Sequence, residues 1–97
     1  MIVLNVTYKC KAGMREKFRE ALSAEGLDAA CRAEDGNFKY DYYMSTDSDD
    51  EMLLVEKWRD AEALAAHQGQ AQFKRIGELK GDFVEEAVLE KYISDNA

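Results

Sequence analysis

The run Glu51-Met52-Leu53-Leu54-Val55-Glu56-Lys57-Trp58 has the two-residue alternation of a strand. After Arg59-Asp60 it gives way to the helical composition of Ala61-Glu62-Ala63-Leu64-Ala65-Ala66-His67. Met52, Leu54, Glu56 and Trp58 share one face of that strand and Leu53 and Val55 the other, so both sides of its sheet carry apolar residues. Asp60 stands where an N-cap belongs, because its carboxylate can accept an orphan backbone N–H at the start of the helix. Two groups in this run can do chemistry. Glu56 falls on an apolar face, where a carboxylate needs a hydrogen-bond partner unless it reaches solvent at the strand end. His67, the only histidine, ends the short helix, where an imidazole can act as a general base near neutral pH or pair with the helix C-terminal dipole.

Working outward, Ile2, Leu4, Val6 and Tyr8 alternate with Val3, Asn5, Thr7 and Lys9 in a first strand. Asn5 is either an edge residue or a donor to a pocket. Between Met14 and Ala33 the chain predicts one long helix, kinked at Gly26, with Met14, Phe18, Ala21, Leu22, Ala29 and Ala30 at helical spacing. Glu34-Asp35-Gly36-Asn37 supplies a turn, and Phe38, Tyr40, Tyr42 and Met44 form the inward face of a second strand. Tyr40 and Tyr42 are core aromatics or donors to an aromatic ligand. Past Gly69, a helix from Gln70 to about Leu79 aligns Phe73, Ile76 and Leu79. Lys80-Gly81-Asp82 then reads as a turn into a last strand from Phe83 to Ile93. The order strand, helix, strand, strand, helices, strand is the split βαβ of an α+β, ferredoxin-like fold, with residues 1–97 as a single domain, an antiparallel sheet and helices on one face.

Composition narrows the functions available. With 13 Lys plus Arg against 20 Asp plus Glu, the net charge is −7, which repels phosphate backbones and anionic lipid, so neither a nucleic acid nor a membrane is an expected partner. Neither GxGxxG nor a P-loop occurs, and the acidic loop around Asp47, Asp49 and Asp50 lacks the glycine and the glutamate of a calcium loop. Cys10 and Cys31 match neither a CxxC motif nor a zinc pattern; they read as reduced thiols, and the N-terminal residues read as a strand rather than a leader, so the expected location is cytoplasmic. A chain of 97 residues with no disulfide or structural metal expected has most to gain from a second subunit. The sheet face away from the helices, with Val3, Leu53, Val55 and some of Phe83, Ala87 and Leu89, is the expected surface for a sheet-to-sheet homodimer.

Gly36-x-x-x-Tyr40, Glu56-x-Trp58-x-Asp60-x-x-Ala63-Leu64-x-x-His67, and Phe73 six residues later together resemble the antibiotic biosynthesis monooxygenase (ABM) family, in particular its small quinol monooxygenases. The resemblance implies a dimeric alpha-beta barrel of ferredoxin-like subunits. It also implies an oxidoreductase that adds oxygen to a small quinol-like or polyketide aromatic substrate, using O2 and no metal, flavin or other cofactor. On that reading His67 is base or phenol partner and Glu56 its orienting carboxylate, with Trp58, Tyr40, Tyr42, Phe73 and Asn5 around the substrate. Gln72 replaces a second histidine found in many relatives. Gly77 stands where haem-degrading relatives carry an iron ligand, and the pocket asparagine of those relatives aligns nearer Val6 than Asn5. Two other functions fit the same residues: a non-oxygenating member, such as an isomerase or metabolite-processing enzyme, and a non-catalytic small-ligand-binding dimer.

Overall fold

The computed structural model describes residues 1–95. Its strands are β1 (Ile2–Cys10), β2 (Asn37–Met44), β3 (Glu51–Trp58) and β4 (Val84–Ile93), and its helices are α1 (Arg15–Ala24), α2 (Leu27–Arg32), α3 (Ala61–Gln68) and α4 (Ala71–Phe83). The strands form one antiparallel sheet in the order β2-β3-β1-β4, the ferredoxin-like α+β topology. β1 lies inside the sheet because its alternation offers a continuous apolar face: Leu4 opposes Glu56, Val6 opposes Leu54 and Tyr8 opposes Met52. On that face the helices bury Phe18, Leu22, Cys31, Met52, Leu54 and Trp58 almost completely. Asp60 caps α3 as its position predicts, accepting from the Ala63 N–H at 2.9 Å.

Four local expectations are corrected. The helix predicted over Met14 to Ala33 is two helices, because Gly26 adopts φ 67 and turns the chain. Leu27, Asp28 and Cys31 then face the core in place of Ala29 and Ala30, and the buried Asp28 carboxylate pairs with Arg19 Nη1 at 2.9 Å. On β2 only Tyr40 is fully buried. The register slips between Asn37 and Lys39, leaving Phe38 as the extra residue of a bulge and 55% exposed, while Met44 emerges at the strand end. Lys80-Gly81-Asp82 is not a turn: α4 runs through it to Phe83, whose ring stacks on Phe18 at a centroid distance of 5.9 Å. That packing outweighs the roughly 1 kcal/mol that a glycine costs inside a helix. Finally, Ala87 and Leu89 pair with Tyr8 and Val6 and so face the helix side; Val88 and Tyr92 occupy the outer face beside Val3, Leu53 and Val55.

The Glu34 to Asn37 turn is fixed against α3 at Gly36. Its φ is +83, and a Cβ there would lie 2.6 Å from Cβ of Ala63, so only glycine lets the turn approach the helix this closely.

Candidate active site

A cavity of about 160 Å³ lies between the sheet and the pair α3 and α4. Leu4 and Val6 from β1, Leu64 from α3, Ile76 from α4 and Leu89 from β4 supply apolar walls. Its polar groups are brought by Tyr8, Tyr40, Glu56, His67, Gln68 and Lys80. A larger hollow of about 390 Å³ over Asp35, Arg59 and Glu62 is open and lined mainly by polar groups, so the smaller, more enclosed cavity is the better setting for chemistry.

His67 is 3% exposed. Its Nδ1 lies 2.8 Å from Oε2 of Glu34, and Gln72 Nε2 donates to that same oxygen at 3.1 Å. A carboxylate only accepts, so the neutral form of His67 that this contact selects has its proton on Nδ1 and its free lone pair on Nε2. Nε2 is 3.8 Å from Oε1 of Glu56, beyond hydrogen-bond distance, and that oxygen accepts the Trp58 indole N–H at 3.0 Å. The carboxylate that orients His67 is therefore Glu34, not Glu56 as the sequence suggested. Trp58 lies beside the imidazole at 4.5 Å between centroids, Phe73 meets it edge-on at 5.2 Å and Tyr40 at 6.1 Å.

Burial acts on the titrating groups around this space. Desolvation raises the Glu56 carboxyl above its ordinary value against the opposing pull of the Trp58 N–H, His67 and Lys80. Desolvation likewise lowers the Lys80 ammonium, with Glu56 opposing, and pushes the Tyr8 and Tyr40 hydroxyls well up, so both remain neutral donors. Cys31 Sγ, a Glu34 oxygen and a His67 nitrogen lie within 4.8 Å of one another, the geometry of a possible three-donor metal cluster. Burial pushes the Cys31 thiol up to about 12, and Nδ1 is hydrogen-bonded to Glu34, so a metal would have to displace protons from both.

The structure brings together His67, Glu56, Trp58, Tyr40 and Phe73. Tyr42 stands one step back, packed edge-on to Tyr40 at 5.9 Å and beneath the Arg19 guanidinium at 4.8 Å. Asn5 opposes Val55 and Glu90 on the other face of the sheet and is not part of this cavity. Sequence reasoning missed Glu34 and Lys80, both of which were read as turn residues. The seven-residue spacing from Phe73 through Ile76 to Lys80 was the available signal for the second. Gln72, read only as a missing histidine, holds Glu34 in place.

The profile of the antibiotic biosynthesis monooxygenase family matches residues 1–79. The chain belongs to that family. It is 35% identical over 74 residues, 76% of either chain, to a Bacillus subtilis protein named "Putative monooxygenase YcnE". Among solved structures it is similar to a conserved Bacteroides thetaiotaomicron protein described as a possible oxidoreductase, with 35% identity, TM-score 0.82 and 94% of each chain covered. A Pseudomonas aeruginosa protein is similar at 26% identity and TM-score 0.85, covering 96% of this chain and 92% of that one. Family and fold are thus those that the Glu56-x-Trp58 and Ala63-Leu64-x-x-His67 pattern suggested, and the family and its Bacillus relative support a monooxygenase-like role.

Proposed function

We propose that this ABM-family chain is a cofactor-independent monooxygenase that oxidises a small quinol-like aromatic with molecular oxygen. The observation that carries the reading is His67: a buried imidazole, fixed at Nδ1 by Glu34 at 2.8 Å and edged by Trp58 and Phe73, in the wall of the more enclosed of the two cavities. A space of about 160 Å³ is close to the roughly 150 Å³ that holds one benzene ring, which favours a single-ring quinol over a polycyclic polyketide.

The chemistry needs a base and a dry site. His67 Nε2 takes the proton of an aromatic hydroxyl, and Glu34 stabilises the imidazolium that results. The electron-rich anion then gives an electron to triplet O2, which closed-shell aromatics otherwise do slowly. Radical recombination places oxygen on the ring. For a hydroquinone the balance is one quinol and one O2 giving one hydroxyquinone and one water, with the substrate supplying all the electrons. Trp58, Tyr40 and Phe73 hold the ring, and the apolar walls keep water from the intermediates.

The same reading takes the chain to be a cytosolic homodimer. The outer sheet face supports the dimer, since Val3, Leu53, Val55, Tyr43, Val88 and Tyr92 lie together there and no helix among the described residues covers them.

Dissolved oxygen should be followed while metal-stripped protein is offered hydroquinones, subtracting autoxidation, with His67→Ala in parallel. Saturable uptake that disappears in the variant is the expected result. No uptake beyond autoxidation, combined with anaerobic proton exchange on a substrate, would replace this reading by that of an isomerase; binding without either would make the chain a ligand-binding dimer.

A further inference from the structure

We propose that Lys80 holds the ligand of this cavity as an ionised phenolate, so that the site selects aromatic hydroxyls acidic enough to bind as anions. The inference rests on the reading of the cavity as a phenol site and deepens it by naming the bound charge state.

Lys80 is the one ammonium or guanidinium group among the residues that line the cavity. Its Nζ lies 5.1 Å from the centroid of the Tyr8 ring and takes part in no ion pair among the described residues. Glu56, the acidic group of the cavity lining, acts on the ammonium through its charge alone and gives its Oε1 to the Trp58 N–H. A half-buried cation that lies over an aromatic face and feels Glu56 without forming an ion pair leaves part of its desolvation cost uncompensated, and an anionic ligand would offset it.

The other titratable groups that line the cavity with Lys80 are Tyr8 on β1, Tyr40 on β2, Glu56 on β3 and His67 on α3. Tyr8 and Tyr40 stay neutral because burial raises them strongly. Glu56 opposes an anion, but its Oε1 is turned to Trp58 and burial already favours its protonated form. Against these, Lys80 and His67 form the cationic and basic parts of one small space. When a phenol enters, its O–H bond breaks, the proton passes to Nε2 of His67, and the electron pair stays on an oxygen facing Nζ. The anion formed is the species that transfers an electron to oxygen most readily.

The probe is 4-nitrophenol, whose phenolate absorbs visible light and whose phenol does not, titrated against pH under nitrogen with protein in excess. Wild type should lower the ionisation midpoint of the bound probe by roughly one pH unit or more. Lys80→Met should return it to the free value or above, and Lys80→Arg should keep the lowering. A bound probe that titrates at or above its free value in wild type overturns the proposal. So does a failure to bind at millimolar probe, or an unchanged shift in Lys80→Met, which would assign the effect to His67. If Lys80→Met does not fold by circular dichroism, the wild-type midpoint and Lys80→Gln decide. Phenolate capture without oxygen uptake would keep Lys80 in this role and remove the oxygenase reading; oxygen uptake with the probe bound neutral would do the reverse.

Discussion

Nδ1 of His67 and Oε2 of Glu34 meet at 2.8 Å across 33 positions of sequence, in a site where the two side chains are 3% and 10% exposed. One comes from the end of a short helix and the other from a turn, and the contact exists because Gly36 lets that turn lie against α3. It fixes the imidazole tautomer, and so decides which nitrogen is available as a base.

Removing the carboxylate by Glu34→Ala should therefore lower kcat for quinol oxidation by about 10²-fold or more, with a smaller effect on KM. Steady-state oxygen uptake measures the rate. Nitrogen NMR of labelled histidine reports the tautomer: Nδ1-protonated in wild type, a mixture in the variant. A single unchanged tautomer would mean that Glu34 does not orient the ring.

Gly36→Ala should disturb the same contact from the backbone. The added Cβ would stand 2.6 Å from Ala63 Cβ at a φ of +83, and strain and overpacking together should cost about 3 kcal/mol. Urea unfolding checks the stability. A variant as stable as wild type would show that turn and helix can separate freely.

How much of this was legible depends on the range of the interactions. β1, β3, the Asp60 cap and α3 follow from local periodicity and capping chemistry, and the structure keeps them nearly residue for residue. Phe38 was misplaced because its bulge is a property of pairing with β3 rather than of the strand alone. Leu89 was put on the wrong face because the slip between Lys9 and Cys10 resets the parity of β4. In the site, Glu56, Trp58 and His67 were visible as a motif. Glu34 was not, because nothing local distinguishes a carboxylate in a turn from one facing a buried histidine. Lys80 was hidden by Gly81, which suggests a break that the Phe83 to Phe18 stacking overrides.

Val55→Asp should give a monomer. Val55 sits in the middle of the uncovered sheet face, opposite Asn5 on β1 and Asp41 on β2, so a new carboxylate would bring repulsion and desolvation into the proposed dimer interface. Analytical ultracentrifugation compares the two proteins. A Val55→Asp protein that remains dimeric would move the interface to another surface.

Glu56 gives a stability signature that varies with pH. Burial raises its carboxyl in the folded protein, and Glu34 adds to the rise while Trp58, His67 and Lys80 oppose it. A folded-state value above the unfolded one means that the native state holds this proton more tightly. The contribution to stability is then fully present below the ordinary carboxylate range and is lost as pH climbs through the raised value. Glu56→Gln keeps an oxygen for the Trp58 N–H at 3.0 Å but cannot ionise. Its stability relative to wild type should therefore improve from pH 4 toward pH 8, by about 1.4 kcal/mol for each pH unit by which the carboxyl is raised. Denaturant unfolding of both proteins across that range measures the difference. A gap that stays constant with pH would show that the carboxylate ionises as easily in the cavity as in water. A gap that moves the other way would show that His67 and Lys80 together outweigh its burial.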